Sequence, residues 1–205
     1  MARLPRVSAG DAPLGTKIAY HFTRKAMREM AACAPRDMLE PLEVFANVPA
    51  LMKGYGRFEQ TAAKVHLLDE RHRTLAELKA ATMTECEYCI DLGSQVARQR
   101  GITDEELVAL TAYRQSGCFS EVDKLVLDYA AGMSHTPVEV PDELFAALKE
   151  HFDTQQLLEL TFAIALENFR GRFNLALDIG AAGFSEGRVC AIPANAVGAV
   201  TTDPA

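Results

Sequence analysis

The chain has 205 residues, of which 49% are hydrophobic, and a formal net charge of −7. That is enough apolar material for one substantial core, and an acidic balance without any run of Lys and Arg argues against a phosphate-binding surface, so nucleic acid is not an expected partner. No segment reaches the roughly 18 apolar residues of a membrane span, and Met1 to Leu14 lacks a signal-type apolar run. The expectation is a cytoplasmic protein with no membrane partner.

Strand signals are nearly absent, because the apolar residues recur at helical rather than alternating spacing. Residues 1–14 read as an N-terminal arm, and helices are expected at 36–53, 57–66 and 70–83. Thr84-x-x-Glu87 has the spacing of a capping box and opens an expected helix over 85–100; Thr103-x-x-Glu106 does the same for 104–115. Ser120 before Glu121 and Asp123 starts 121–133, Pro141 with Asp142 and Glu143 starts 141–151, and Asp153-x-x-Gln156 starts 154–179. One all-α domain over 15–190 follows, with a C-terminal tail at 191–205 rich in Ala, Val, Gly and Pro. The arm and tail are expected to be mobile or tied down by a neighbouring subunit.

Leu157 to Leu166, LLELTFAIAL, is apolar nearly all round and predicts a helix covered on every side, more burial than a small monomer supplies. Laid ungapped on Leu157 to Gly183, the stretch Leu75 to Gly101 matches at Leu75, Glu77, Leu78, Ala81, Glu85 and Gly101. This leaves open a bundle of two diverged helical halves, in which Cys86 and Cys89 correspond to Asn168 and Gly171.

Five cysteines without an export signal point away from a structural disulfide framework. Cys33, Cys118 and Cys190 stand alone and read as packed or surface residues. In Thr84-Glu85-Cys86-Glu87-Tyr88-Cys89, Thr84 as N-cap puts Cys86 in the first helical turn with Cys89 on nearly the same face, so a reversible disulfide is expected. Unpaired amides and the helix dipole stabilise a thiolate there, while Glu85 and Glu87 oppose it. No second pair of Cys or His completes a zinc site, so neither a metal nor a cofactor is expected.

The stretch ELKAATMTECEYCIDLGSQVARQRGITDEEL resembles the core of the carboxymuconolactone decarboxylase and alkylhydroperoxidase-D-like family, and LLELTFAIALENFRGRFNLALDIGAAGF resembles the second helical half of a longer subfamily. The resemblance spans about Pro35 to Pro193. It implies an alkylhydroperoxidase-D-like helical bundle and assembly into homotrimers or homohexamers. In redox members it also implies hydroperoxide reduction through the CxxC pair, with electrons from a partner thiol reductant.

Three departures bear on that activity. Redox members carry a His four residues after the second Cys, where this chain has Gly93, and a Glu twelve before the first, where it has Thr74. Where relatives read RFNHA, this chain reads Arg172-Phe173-Asn174-Leu175-Ala176. Glu77, one helical turn after Thr74, is the candidate substitute, taking the thiol proton directly or through water, with an exposed or structurally paired carboxylate as the alternative. Tyr88 and Asp91 flank Cys89 and are candidate substrate-binding groups; Asn168, Arg170 and Arg172 either bind substrate anions or line a subunit interface. The sequence thus predicts catalytic Cys86, Cys89 and Glu77 in a thiol-dependent hydroperoxide reductase. The alternatives are a non-redox carboxy-lyase on a small carboxylated metabolite, or a helical oligomeric module with a decayed site.

Overall fold

The computed structural model describes residues 2–31, 35 and 37–193, and among these the chain is helical with no strand. The helices are α1 (Leu14–Met30), α2 (Glu40–Phe45), α3 (Pro49–Ala62), α4 (Glu70–Thr84), α5 (Glu87–Gln99), α6 (Asp104–Ala109), α7 (Glu121–Ser134), α8 (Asp142–His151) and α9 (Thr154–Ala176), with a 3-10 turn at Leu110–Ala112 after α6. Cys33, the expected helix start at 36 and the tail from 194 lie outside the described residues.

The capping residues read from sequence act at three helices. Thr103 with Glu106, Ser120 with Asp123 and Asp153 with Gln156 each form a reciprocal capping box, satisfying amides that the first turn leaves open. Helix α1 was not expected, because its N-cap Pro13 offers no side-chain hydrogen bond and its first turn holds no acid. The helix expected over 36–53 is two helices. The chain breaks at Ala46–Val48, where Asn47 Nδ2 donates to the Val44 carbonyl at 2.9 Å, and Pro49 then opens α3 at a position that needs no amide donor.

The N-terminal arm is strapped to its own chain. Arg3 N donates to the Leu177 carbonyl at 2.7 Å, Val7 N to the Glu43 carbonyl at 3.0 Å, and the Arg6 guanidinium pairs with Asp37 and Glu43.

Helix α4 is the central element, packed against α5, α7 and α9. Leu75, Leu78 and Ala81 face one core cluster, and Ala76 and Ala80 face another that includes Val126, Leu148, Leu160 and Ile164. Small residues on one face of α4 let α7 and α9 approach closely. Helix α9 is not covered all round within the chain: Leu158 is 69% exposed and Phe169 47%. It also runs unbroken past Asn168 and Gly171, whereas the matching residues Cys86 and Cys89 lie beyond a helix break, so the two stretches of the echo do not share one architecture. Among the described residues no helix is long and apolar enough to cross a membrane.

Candidate active site at the Cys86 and Cys89 pair

The break between α4 and α5 places the cysteines. Glu85 adopts the left-handed conformation (φ 60°), with its amide donating to the Thr82 carbonyl and that of Cys86 to the Ala81 carbonyl, both at 3.3 Å. This Schellman-type ending satisfies the last carbonyls of α4 and turns the chain sharply. Thr84 is therefore the last residue of α4, its hydroxyl donating back to the Ala80 and Ala81 carbonyls, and not the cap of α5. The cap is Cys86, whose Sγ accepts the Cys89 amide at 3.2 Å. The expected Thr84–Glu87 box fails because the Schellman ending already commits residues 84–86.

Cys86 and Cys89 are joined as a disulfide with Cα atoms 5.2 Å apart. Both are buried, but only Cys89 lines a cavity of about 1190 Å³ walled by α1, α2, α3, α4, α5 and α9. Asn174 on α9, which also lines the cavity, reaches the pair: its Nδ2 is 3.6 Å from each sulfur. Helix α9 can come this close because Gly171, one turn earlier, packs on Thr84, where a Cβ would lie 2.5 Å from Thr84 Oγ1.

Much of the cavity wall is apolar, from Met27, Met52, Phe45, Leu92 and Phe173 among others, with a charged section built on α3, α4 and α9. There Arg170 makes a bidentate pair with Glu59 (2.9 and 2.6 Å) and a third contact with Glu167 (2.8 Å). Burial pushes the Glu167 carboxyl above the usual range, only partly offset by Arg170. Burial opposes ionisation of Glu59 as well, but the two Arg170 bonds prevail and hold it low.

Glu77 also lines the cavity, bound to Arg73 at 3.3 Å and 4.0 Å from Arg100. Thr74 is buried, donating to the Glu70 carbonyl and accepting from Arg100 at 3.0 Å. Gly93 lines the cavity with Leu78 Cδ1 3.1 Å from where a Cβ would lie, so a side chain in the place of the relatives' imidazole would need Leu78 to give way.

The remaining sequence candidates fall differently. Tyr88 touches the cavity, yet its hydroxyl donates to the Met38 carbonyl and its ring packs edge-on to Phe184. The Asp91 carboxylate is away from the cavity and taken up by four backbone amides, those of Ala182, Gly183, Phe184 and Ser185, at 2.7–3.0 Å; it anchors the segment after α9. Asn168 is buried against Ser134, and Arg172 is exposed and donates to Thr136 Oγ1. Neither lines the cavity, because α9 turns them to its other faces. Asn174, Glu167 and Glu59 were missed as site residues. Charges inside the otherwise apolar run of α9 were the available signal for Glu167, whereas Glu59 joins it only through a contact 111 residues away in sequence.

The helical bundle, with a CxxC pair at the start of one helix and the second cysteine on a cavity wall, has an AhpD-like fold. Among solved structures it is similar to a peroxidase-related protein with an AhpD core from Ralstonia eutropha JMP134 (TM-score 0.69, 17% identity, 88% of this chain and 92% of that one). It is also similar to the debrominase Bmp8, crystallised as a cysteine-to-alanine variant with 2,3,4-tribromopyrrole (TM-score 0.72, 17% identity, 89% and 95%). The carboxymuconolactone decarboxylase family model matches residues 49–131. YnjA of Escherichia coli (strain K12), described as an uncharacterized protein, is 36% identical over 158 residues, 77% of this chain and 84% of YnjA. The chain belongs to the carboxymuconolactone decarboxylase family.

Proposed function

We propose that the protein reduces organic hydroperoxides through Cys86 and Cys89. The observation that carries this reading is the position of the pair: Cys89 opens on the cavity while Cys86 sits behind it within disulfide distance. In the reduced protein the Cys89 thiolate attacks the outer oxygen of the hydroperoxide and the O–O bond breaks. The alkoxide leaves as an alcohol after taking a proton, and Cys89 becomes a sulfenic acid. The Cys86 thiolate then attacks that sulfur, hydroxide leaves as water with a second proton, and the disulfide forms. An external dithiol returns two electrons and two protons.

Charge on sulfur is stabilised at the start of α5, by its dipole and by the Asn174 amide. No imidazole stands at Gly93, so protons pass through cavity water. We assign Glu77 the deprotonation of the thiol through cavity water, and Glu167, whose carboxyl burial pushes above its ordinary value, the supply of protons to the departing alkoxide.

The reading is tested by titrating the reduced protein with cumene hydroperoxide. One equivalent should yield alcohol and a Cys86–Cys89 peptide lighter by two hydrogens. Cys86→Ser should stop at a sulfenic acid that dimedone traps on Cys89, and Cys89→Ser should consume none. Thiols that remain alkylatable after exposure would refute it.

A second reading, acid–base cleavage of a small carboxylated metabolite, is favoured by Glu167 beside Arg170 on the cavity wall. Activity that survives in the Cys86→Ser/Cys89→Ser double variant would select it.

A further inference from the structure

The cavity holds more space than the chemistry at Cys89 uses. At about 1190 Å³ it exceeds the roughly 300–1,000 Å³ typical of small-molecule sites. A hydrogen peroxide or short alkyl hydroperoxide would leave most of it to water against apolar walls. Its rim is apolar as well: Ile18 and Phe22, successive turns of α1, line it while remaining 49% and 64% exposed.

Six charged side chains line the cavity: Lys53, Arg57, Glu59, Glu77, Glu167 and Arg170. Four of them are paired, Arg170 with Glu59 and Glu167, and Glu77 with Arg73. Lys53 and Arg57 have no ion-pair partner among the described residues. Spaced i, i+4 on α3, they form with Gln60 the stripe beside the one that turns Met52 and Glu59 inward. Their exposure puts them at the mouth. A lone exposed Lys or Arg is ordinarily just solvated, but two adjacent unpaired cations at the edge of an apolar cleft, whose carboxylates are each bound to an arginine, make the entrance positive.

We propose that the cavity takes an amphipathic carboxylate, with the carboxylate at Lys53 and Arg57 and a bulky apolar body running between α1 and α3 toward Cys89. This names the substrate class of the hydroperoxide site and rests on that reading for the chemistry only. The apolar body gains by leaving water along the walls, and the carboxylate fixes which end enters last, so that an oxidised group within the body can reach the sulfur.

Equilibrium dialysis with oleate below its aggregation concentration, and with oleyl alcohol as the uncharged comparison, reads binding without turnover. The wild type should bind one oleate per chain, about tenfold more tightly than the alcohol, with the preference shrinking as salt rises. Lys53→Gln/Arg57→Gln should abolish the preference, and Lys53→Arg/Arg57→Lys, which keeps both charges, should retain it. Equal binding of the two probes by the wild type, binding of neither, or a preference that survives the double glutamine variant would overturn the inference. A protein that consumes cumene hydroperoxide but does not distinguish oleate fails here alone; one that prefers oleate but consumes no hydroperoxide supports this inference and refutes the peroxidase reading.

Discussion

The side-chain amide of Asn174 lies 3.6 Å from Cys89 Sγ, delivered from α9 to a sulfur that the end of α4 and the start of α5 set in place. An amide donor at that position stabilises negative charge on sulfur more than neutral thiol. Asn174→Leu, similar in size but without a donor, should slow alkylation of Cys89 by iodoacetamide near neutral pH roughly three- to tenfold, the equivalent of one ordinary hydrogen bond. The rate-versus-pH curve should move to higher pH. An unmoved curve would leave Asn174 a packing residue.

Gly171 sets how close α9 comes to the thiol pair. A Cβ there would meet Thr84 Oγ1 at 2.5 Å and Thr84 Cβ at 3.0 Å, inside contact distance. Gly171→Ala should therefore lower stability by roughly 1–3 kcal/mol despite the better helix propensity of alanine. Urea unfolding is the measurement, and Thr84→Ala added to it should restore part of the loss. A Gly171→Ala protein as stable as the wild type would show that α9 shifts at little cost.

Acid sensitivity should come from the cluster that ties α4 to α6 and α7. Arg71 binds Glu106 and Asp123, and although burial opposes ionisation, the Thr103 amide with Arg71 at Glu106, and Arg71 with Ser120 at Asp123, hold both carboxyls below their ordinary values. A lowered folded-state value means stability fully present above the ordinary carboxylate range and lost as pH falls through the depressed values. Arg71→Gln should cost roughly 2 kcal/mol near neutrality, from the lost charged hydrogen bonds, and flatten the acid limb of a circular-dichroism unfolding profile. A variant that keeps the wild-type acid limb contradicts the assignment.

The place of Gly93 on the cavity wall makes a gain-of-function experiment possible. In Gly93→His the new Cβ would press on Leu78 Cδ1, 3.1 Å away, the movable end of a flexible side chain, and the imidazole would enter the cavity one turn after Cys89. Alkylation of Cys89 should accelerate several-fold near neutral pH, while Glu77→Gln in the otherwise native chain should slow it. If neither substitution alters the rate, proton transfer at this site is solvent-borne.

We propose that the chain assembles into a homotrimer or a homohexamer. Leu158 and Phe169 on α9 and Leu51 on α3 leave apolar area uncovered within one subunit. Sedimentation at micromolar concentration should show no species at the 22.4 kDa monomer mass. A stable monomer would refute the assembly.

Much of the architecture is written locally. Caps at Thr103, Ser120 and Asp153 belong to short-range patterns, because a side chain and an amide three residues apart find each other within one turn. The CxxC spacing is local in the same sense. Helix α1 carries no such mark, since it opens on Pro13 without a side-chain cap and is held by burial of Tyr20.

What the sequence by itself determined is an all-helical chain with two thiols three residues apart and no imidazole four residues beyond them, because helix periodicity, capping and spacing act over a few residues. Which sulfur faces substrate, and what surrounds it, only the tertiary structure decided. Asn174 is 85 residues from Cys89 and Arg170 is 111 from Glu59, and Asp91 spends its carboxylate on amides more than 90 residues away. Those partners meet because α4 is buried on opposite faces and α9 packs on it through Gly171. A carboxylate's surroundings, and so whether it anchors a loop as Asp91 does or lines a cavity beside an arginine as Glu167 does, depend on helices brought together by core packing.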